Sequence, residues 1–390
     1  MKSPRAALIV GAGIGGLAAG LALRKAGWQV RIFERAAAPR ELGFALALAP
    51  NAMAALDELG VAAGIAARSV APVRVEVRHL DGRRIRRFEW TTDGRTVTTR
   101  THVALRPIVH GALLEAVGKG SIELGTEVVG AETTPGGAVL TFRDGRTATG
   151  DVVVAADGVG SAIRKHLHPD EPPARPSGYW AIRGVAHNGV RHLGDLSAAA
   201  FLGPGVESAV ARASETAVYW YMSLLAADVP GTRDPAAELR RRLPQLDPTL
   251  RAIVDATETG DLRMDELLMR DPLASWGRGR VTLLGDAAHP VLPHSGQGAA
   301  LALEDAVALG LVAASSDPDI EAALRHYEQV RFRRTRAIQR LGRRIARVTT
   351  TRNVMVAALR TAMVRLVPMA VLNLAAKLNQ RDPHRALRPR

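Results

Sequence analysis

The feature that most constrains the fold stands at the N-terminus, in the stretch ALIVGAGIGGLAAGLALRKAGWQVRIFER. The apolar run Ala6–Val10 predicts a buried parallel strand, a helix is predicted over Ile14–Ala26, and a second strand over Val30–Phe33. The uncharged stretch superficially resembles a signal peptide or a membrane span, but glycines interrupt it and no cleavage site follows. The order strand, glycine-rich turn, helix and strand predicts a dinucleotide-binding α/β unit.

Three glycines, Gly11, Gly13 and Gly16, give the spacing G-x-G-x-x-G at the turn into the helix. The first permits a tight turn, the second lets the backbone approach a pyrophosphate, and the third lets helix and strand pack closely. The helix N-terminus at Ile14 then presents unpaired N–H groups to the phosphates. Glu34 follows the second strand, where a carboxylate accepts from a ribose hydroxyl. NAD and FAD both offer that ribose, so this unit alone does not separate them.

Two later stretches repeat the strand-then-turn pattern. Residues 151–167 form an apolar strand that ends in Asp157-Gly158, followed by a short helix that Ser161 is placed to cap. Residues 285–306, GDAAHPVLPHSGQGAALALEDA, follow a strand predicted over Val281–Leu284 and lead into a helix predicted over Gly296–Leu309.

The stretch 285–306 also raises a metal site or a hydrolase site as alternatives. Metal ligands need to converge on one face with supporting contacts, whereas His289 precedes a proline and His294 sits in a Pro/Ser/Gly loop. A Ser-His-Asp hydrolase lacks its G-x-S-x-G elbow here. Neither alternative is favoured.

Charge and cysteine content narrow the partners. Cysteine is absent, which excludes disulfides and thiolate sites and favours a reducing compartment, the cytoplasm. The net charge is +14, but residues 325–390 hold sixteen Arg and one Lys against two acids, so the remaining 324 residues sum to −1. No nucleic-acid recognition module accompanies this basic tail. Its apolar segment Val354–Ala376, with Arg360 and Arg365 interspersed, leaves weak membrane-surface contact open, without an integral span. Helices docked on the body with their arginines outward are the favoured interpretation of the tail.

In this order and spacing, the three stretches resemble the group A FAD-dependent aromatic hydroxylases, the flavoprotein monooxygenases that include p-hydroxybenzoate and salicylate hydroxylases. The resemblance covers about residues 5–345. Two shorter matches agree with it: LRPIVHGALLEAV, with Arg106 near the flavin, and the helix led by Pro50-Asn51.

The resemblance implies roles for individual residues. Asp286 would hold sugar hydroxyls of FAD, Pro293 would border the flavin ring, and the amides at Gly296–Gly298 would stabilise charge at its pyrimidine edge, a role that also suits a helix N-terminus. The residues expected to bind the cofactor are Gly11, Gly13, Ile14, Gly16, Glu34, Arg35, Arg106, Asp157, Gly158, Asp286, Pro293, Gly296, Gln297, Gly298 and Ala299. Those expected at the reacting centre are Pro293, Gly296, Arg183 and Tyr221.

Alternating segments predict a mainly antiparallel sheet over the cofactor, as in the family. They are residues 73–80 and 83–90, joined by Asp81-Gly82 as a type I′ hairpin, and residues 178–187, 207–213 and 217–224. Alternation puts Tyr219 and Tyr221 on one face and Trp220 on the other. Arg183 matches the Arg of the family's W-R-G segment and would anchor a carboxylate or contact the flavin, with a solvated arginine as the alternative. In the loop before Pro-Asn, where relatives carry small residues, this chain has Phe44.

The predicted fold class is therefore α/β: a Rossmann-like FAD-binding domain interleaved with a mainly antiparallel β-sheet substrate domain, plus C-terminal helices. Residues 1–72, 97–172 and 273–345 are assigned to the FAD-binding domain, 73–96 and 173–272 to the substrate domain, and 346–390 to a basic helical segment.

The function that the resemblance implies is hydroxylation of a small aromatic or heteroaromatic substrate, with NADH or NADPH as transient co-substrate and O2 as oxidant, through a C4a-hydroperoxyflavin. A monomer or a homodimer is expected. Two alternatives stay open: an FAD-dependent epoxidase, oxidase or reductase acting on an isoprenoid or alicyclic substrate, and a flavin-fold protein that binds a ligand without turnover. A base that deprotonates the substrate would help, and neither His289 nor His294 is assigned to that task.

Overall fold

The structure is a computed structural model that describes residues 4–38, 44–90, 100–229, 234–314 and 319–368. In chain order, its strands are β1 (Ala6–Val10), β2 (Gln29–Phe33), β3 (Ala45–Leu48), β4 (Arg74–His79), β5 (Arg84–Glu89), β6 (His102–Leu105), β7 (Ile122–Glu123), β8 (Val128–Thr134), β9 (Gly137–Phe142), β10 (Thr147–Gly150), β11 (Val152–Ala155), β12 (Arg175–Ala186), β13 (Ala198–Gly203), β14 (Val206–Arg212), β15 (Val218–Leu225), β16 (Arg263–Met269) and β17 (Val281–Leu283). Its α-helices are α1 (Ile14–Lys25), α2 (Pro50–Leu59), α3 (Ala62–Ala66), α4 (Arg106–Val117), α5 (Ala162–Leu167), α6 (Pro235–Arg242), α7 (Pro248–Asp255), α8 (Gly298–Ala313), α9 (Ile320–Thr349) and α10 (Val354–Leu366).

A parallel sheet in the order β17-β11-β1-β2-β7 forms the first layer. Its central strand is fully buried at Leu8 and Ile9, which is why the sequence there is continuously apolar. Helices α1 and α8 pack together beside this sheet. The predicted strand, turn, helix and strand are confirmed, and the short helix after Asp157 begins at the predicted cap, where Ser161 accepts from the Arg164 amide.

A seven-stranded sheet in the order β16-β12-β15-β14-β13-β4-β5 forms the second layer. All its neighbours are antiparallel except β13 and β4, so the predicted mainly antiparallel sheet is confirmed. A small sheet, β10-β9-β8, and a ribbon, β3-β6, complete the strand pairing.

The hairpin between β4 and β5 is confirmed, but its predicted type I′ turn is wrong. A type I′ turn needs positive φ at both central residues. Gly82 has φ 93°, whereas no described residue other than glycine has positive φ, so Asp81 does not qualify. The loop is longer than two residues, because the His79 amide donates to the Arg83 carbonyl.

The two faces of β15 pack against different parts of the molecule, as the alternation predicted. Trp220 is fully buried on the outer face, where its Nε1–H donates to the Thr257 hydroxyl at 2.8 Å. Tyr219 packs against Ala45 and Val103, on the face that looks toward the first layer.

The helix predicted from Gly296 begins two residues later, at Gly298. Gly296 has φ 63°, a left-handed conformation that cannot lie inside a right-handed helix. It instead ends the short 3₁₀ turn Pro293–Ser295.

The C-terminal part holds two helices at its described end. Helix α9 has 30 residues and runs past residue 345 without interruption, so it links the last segment directly to the body. Over the described ranges, no helix combines the length and apolarity that crossing a bilayer requires. Nor do three or more metal-ligating side chains gather anywhere in those ranges.

Candidate active site

A cavity of about 250 Å³ opens where β1, β2 and β11 end. Six of the residues predicted to bind the cofactor line it: Gly11, Gly13, Glu34, Arg35, Asp157 and Gly158. Ligands bind at the carboxyl ends of parallel strands in open α/β sheets, and this cavity has that position.

The three glycines of the N-terminal turn differ in what surrounds them. A Cβ on Gly11 would lie 2.6 Å from the Ala156 carbonyl oxygen, and one on Gly16 would lie 1.9 Å from the Gly11 carbonyl oxygen. A Cβ on Gly13 would meet nothing within 4 Å. Gly11 and Gly16 therefore serve the packing of the protein itself, whereas Gly13 leaves the cavity open against the backbone.

Two carboxylates border the cavity, and they differ in how many of their oxygens have hydrogen-bond partners. Glu34 accepts from the amides of Ala12 and Ala36, each at 2.9 Å, which fixes its orientation. Asp157 accepts from the Ala162 amide through Oδ2 at 2.8 Å, but its buried Oδ1 has no partner. Burial raises the pKa of Asp157. An orphaned acceptor beside an open cavity suits a ligand that donates a hydrogen bond.

The loop between β17 and α8, which holds the other predicted cofactor residues, has exposed positions within a buried stretch. From Val281 to Pro290 every residue is buried except Asp286, and Pro293 and Gly296 are exposed in the loop that follows. The Gly296 amide donates to the Pro293 carbonyl at 2.8 Å, so the loop itself uses one of the amides assigned to the cofactor. The first turn of α8, with Gly298 and Ala299, keeps the amides that a helix N-terminus leaves without an acceptor.

A buried charge network lies beneath this loop. Asp305 pairs with His289 at 2.5 Å and with Arg331 at 2.7 Å, and Arg331 also reaches Glu304 at 2.7 Å. Burial works to raise the pKa of Asp305, but His289 and Arg331 outweigh it and hold that pKa at about 2. His289 is thereby committed to a structural hydrogen bond with Asp305.

The network also positions the predicted cofactor residue Gln297. The Asn51 amide nitrogen donates to Gln297 Oε1 at 2.9 Å and to Glu304 Oε1 at 2.7 Å. Arg331 was not predicted, although its counter-charges, the Glu304-Asp305 pair in a predicted helix, are visible in the sequence.

The predicted substrate residues lie on the inner face of the seven-stranded sheet. Arg183 of β12 and Tyr221 of β15 are direct partners in the antiparallel register. The Arg183 guanidinium lies 5.4 Å from the centre of the Phe44 ring and 3.9 Å from Asp265. Arg183 is therefore not a fully solvated arginine, because its side chain is only 23% exposed and lies near both Phe44 and Asp265.

Arg106 stands between the two layers. It opens α4, and its amide donates to the Phe44 carbonyl at 2.6 Å. Burial lowers the pKa of Arg106, with Asp286 opposing and Arg183 adding to that effect. Arg106 is thus close enough to both Asp286 and Arg183 to be affected by their charges, which joins the substrate face to the cofactor loop.

A polar cluster of His294, Ser223, Glu207, Tyr221 and Thr349 sits where loop, sheet and α9 meet. His294 Nε2 lies 2.8 Å from Ser223 Oγ and 4.0 Å from Glu207 Oε2. Glu207 accepts from the Tyr221 hydroxyl at 2.6 Å and from the Thr349 hydroxyl.

The imidazole of His294 is buried, and its Nδ1 atom has no hydrogen-bond partner. Burial lowers the pKa of His294, and the negative charge of Glu207 opposes that shift in part. Roles for Glu207, Ser223 and Thr349 were not predicted. The carboxylate that opens the strand-like segment ESAVARA was the one visible indication.

Comparison with known proteins agrees with this geometry. The FAD binding domain family matches residues 5–341. Aurachin C monooxygenase/isomerase of Stigmatella aurantiaca is 33% identical, with 94% of this chain and 95% of that protein covered. 3-Hydroxybenzoate 6-hydroxylase 1 of Aquipseudomonas alcaligenes is also 33% identical, over 86% and 87%. The crystal structure of Klebsiella pneumoniae HpxO complexed with FAD and uric acid has a TM-score of 0.88 and 28% identity, covering 96% of each chain.

The geometry of the site fits FAD. FAD needs room for a pyrophosphate against the backbone, and Gly13 leaves that room. It also carries groups that donate hydrogen bonds, and the unpartnered Oδ1 of Asp157 can accept one. At the second loop, Asp286 is exposed within a buried stretch and is therefore accessible to the cofactor. The matched family spans most of the chain, and the relatives are named as monooxygenases and hydroxylases. The chain therefore belongs to the FAD-dependent aromatic hydroxylases and is a flavoprotein monooxygenase.

Proposed function

We propose that the protein hydroxylates a small aromatic or heteroaromatic ring in a cleft between its two main sheets. The observation that carries this proposal is the polar inner face of β12 and β15, with Arg183 and Tyr221, set opposite the cofactor loop. Family membership favours this function over the epoxidase, oxidase and reductase alternatives and over a protein without turnover. The FAD-binding domain is proposed to consist of residues 1–72, 97–172 and 273–345, and the substrate domain of 73–96 and 173–272.

The nucleotide half of FAD is proposed to lie against the N-terminal turn. The backbone at Gly13 and the N-terminus of α1 at Ile14 suit the pyrophosphate, because a helix N-terminus favours negative charge. Glu34 suits a ribose hydroxyl, since its oxygens keep acceptor capacity beyond the two amides that orient them. The orphaned Oδ1 of Asp157 suits a further donor.

The flavin half is proposed to lie along the second loop. Asp286 suits the sugar-alcohol hydroxyls, and Pro293 borders the ring. The amides of Gly298 and Ala299 stabilise negative charge at the ring edge. When bound and reduced by NADH or NADPH, FAD supplies the activation of O2 and the transfer of one oxygen atom to the substrate.

Arg183 and Tyr221 are proposed to orient the ring. Burial raises the pKa of Tyr221 well above its ordinary value, and Glu207 adds to that effect, so this phenol stays protonated. Its proton is donated to Glu207, which leaves the oxygen as an acceptor for a substrate O–H or N–H. Arg183 suits an anionic substituent, because a guanidinium keeps its charge throughout the working pH range.

His294 is proposed to accept the proton that an O–H or N–H group on the ring must lose. With Nε2–H donating to Ser223, the lone pair of the neutral ring lies on Nδ1, the buried atom without a partner. The lowered pKa keeps the ring neutral at physiological pH, and Glu207 at 4.0 Å stabilises the cation after transfer.

The protein is proposed to work as a monomer or a homodimer, and any contact with lipid is proposed to run through its C-terminal helices.

The experiment that tests the function is cofactor release followed by turnover. The purified protein should show a flavin absorption spectrum, and the released cofactor should have the mass of FAD. Phenols, aromatic acids and N-heterocycles should then be screened for stimulated NAD(P)H oxidation that matches both O2 uptake and a product heavier by one oxygen atom. A bound flavin that NAD(P)H never reduces with any compound offered would contradict the proposal.

A further inference from the structure

Helix α10 is oriented with its apolar side outward. Five of its apolar side chains are exposed by 57% to 82%: Val354, Met355, Leu359, Met363 and Leu366. Four of them, at positions 355, 359, 363 and 366, follow the three- and four-residue spacing of a single helical stripe. Of the thirteen residues in α10, Arg360 alone is buried. A helix on a water-exposed surface normally shows the opposite arrangement.

The inner side of α10 is held by specific polar contacts. The Arg360 guanidinium donates to the carbonyls of Val348 and Thr349, at 3.2 and 2.7 Å, where α9 ends. The Arg86 guanidinium of β5 donates to the carbonyl of Val364 at 3.1 Å, near the end of α10. The Asn353 side chain caps its start by accepting from the Val356 amide. These contacts set which side of the helix faces the body.

Leaving a contiguous apolar stripe in water is unfavourable, and large exposed patches of this kind mark contact surfaces. The surrounding charge decides which contact fits. Exposed arginines lie along α9, at Arg333, Arg336, Arg340, Arg344 and Arg347, and within α10 at Arg365. Arg352, between the two helices, is also exposed but pairs with Asp228. A second copy placed symmetrically on this surface would bring like charges together, whereas an anionic surface complements them.

We propose that α10 docks into the surface of an anionic lipid bilayer, with the stripe of Met355, Leu359, Met363 and Leu366 among the acyl chains and the neighbouring arginines at the phosphates. This inference goes beyond the proposed reaction, because it holds for any substrate. It also bears on where the reaction occurs. Arg360 of α10 donates to the Thr349 carbonyl at the end of α9, and the Thr349 hydroxyl donates to Glu207 of the polar cluster. The docked helix therefore lies next to the substrate side of the cleft.

The test uses the full-length, FAD-loaded protein and sedimentation with phospholipid vesicles. We expect binding to vesicles that contain phosphatidylserine or phosphatidylglycerol, weaker binding to pure phosphatidylcholine, and a decrease as salt is raised. The double variant Met355→Glu/Leu359→Glu should lower the partition coefficient by roughly tenfold or more, because two carboxylates would enter the apolar layer. The matched control, Leu124→Glu/Val129→Glu, changes two apolar side chains exposed by 42% and 38% at β7 and β8, outside α9 and α10, and should bind like the parent protein.

Folding is checked independently of lipid. FAD content, circular dichroism and NAD(P)H oxidation with a water-soluble substrate should be the same in the double variant and in the parent.

Three outcomes would overturn the proposal. The parent protein does not bind anionic vesicles, or the α10 double variant binds them as well as the parent does, which would assign any binding to residues outside the stripe. In the third, sedimentation velocity shows that the parent is a dimer and the double variant a monomer, with no vesicle binding by either. A second copy of the chain would then cover α10.

Discussion

His294 Nε2 lies 2.8 Å from Ser223 Oγ, a contact between the cofactor loop and the inner face of the seven-stranded sheet. The two residues stand 71 positions apart in the chain, and both are buried. The bond turns the imidazole so that Nε2 faces the sheet and Glu207, which leaves Nδ1 without a protein partner. One residue of the loop thus joins the part of the molecule that suits FAD to the part that suits the substrate.

Replacing His294 with Gln should remove the proposed proton acceptor while an amide can still bond to Ser223. For a substrate that must lose a proton, kcat/KM should fall by about 10²- to 10⁴-fold. Because the base must be neutral and burial lowers the pKa of His294 below the ordinary value of a histidine, the parent rate should rise with pH through the acid range and level off above it. That acid limb should be missing in the variant.

A matched control for this prediction is His192→Gln, which changes a half-buried histidine in the short 3₁₀ turn Val190–His192 after β12. An unchanged pH profile in His294→Gln, with FAD content intact, would return His294 to a packing role.

Gly13 and Gly16 should respond differently to an added side chain. Gly13→Val should fold, because a Cβ there meets nothing within 4 Å and φ is −72°, but it should lose FAD because the side chain fills the cavity. Gly16→Ala should destabilise the apoprotein itself, since its Cβ would lie 1.9 Å from the Gly11 carbonyl oxygen. Flavin content and thermal unfolding of the apoproteins separate the two effects. Stoichiometric FAD in Gly13→Val would show that the cofactor map is wrong.

Arg331→Leu should be strongly destabilising. It leaves the buried carboxylates Glu304 and Asp305 short of a counter-charge, and breaking a buried ion pair from one side costs about 3 to 5 kcal/mol. Urea unfolding gives the free energy of unfolding for the variant, the parent and the control Arg333→Leu, an exposed position on the same helix. A loss no larger than that of the control would mean that the network does not carry the stability assigned to it.

Arg183→Ala should raise KM for acidic substrates and leave neutral ones little affected. Arg183→Lys keeps the charge but gives up the planar contact with Phe44, so its KM should fall between those of the parent and the alanine variant. Steady-state kinetics with an acidic substrate and its amide provide the comparison. The control is Arg263→Ala, the exposed partner of Arg183 on β16. Equal kinetics for Arg183→Ala and the parent would remove Arg183 from the substrate site.

Several features could be predicted from short stretches because neighbouring residues determine them. The turn at Gly11, the alternation of Tyr219, Trp220 and Tyr221, and the Ser161 cap depend on sterics and hydrogen bonds that act within a few positions. Predictions that depended on one backbone angle were less accurate. The type I′ turn at Asp81 and the helix start at Gly296 were both predicted wrongly, because each depends on the φ angle of one residue, which the residue types alone do not fix.

The sequence by itself determined the dinucleotide-binding unit of this protein. The order strand, glycines, helix, strand and acid is a local pattern, and it supplies most of the contacts that a dinucleotide needs. Only the tertiary structure decided which partners the two histidines of one loop have. His289 meets Asp305, whereas His294 meets Ser223 and Glu207 and keeps one nitrogen without a partner. The physical reason is that burial and charge pairing depend on contacts between distant parts of the chain, such as the 142 positions that separate Thr349 from Glu207.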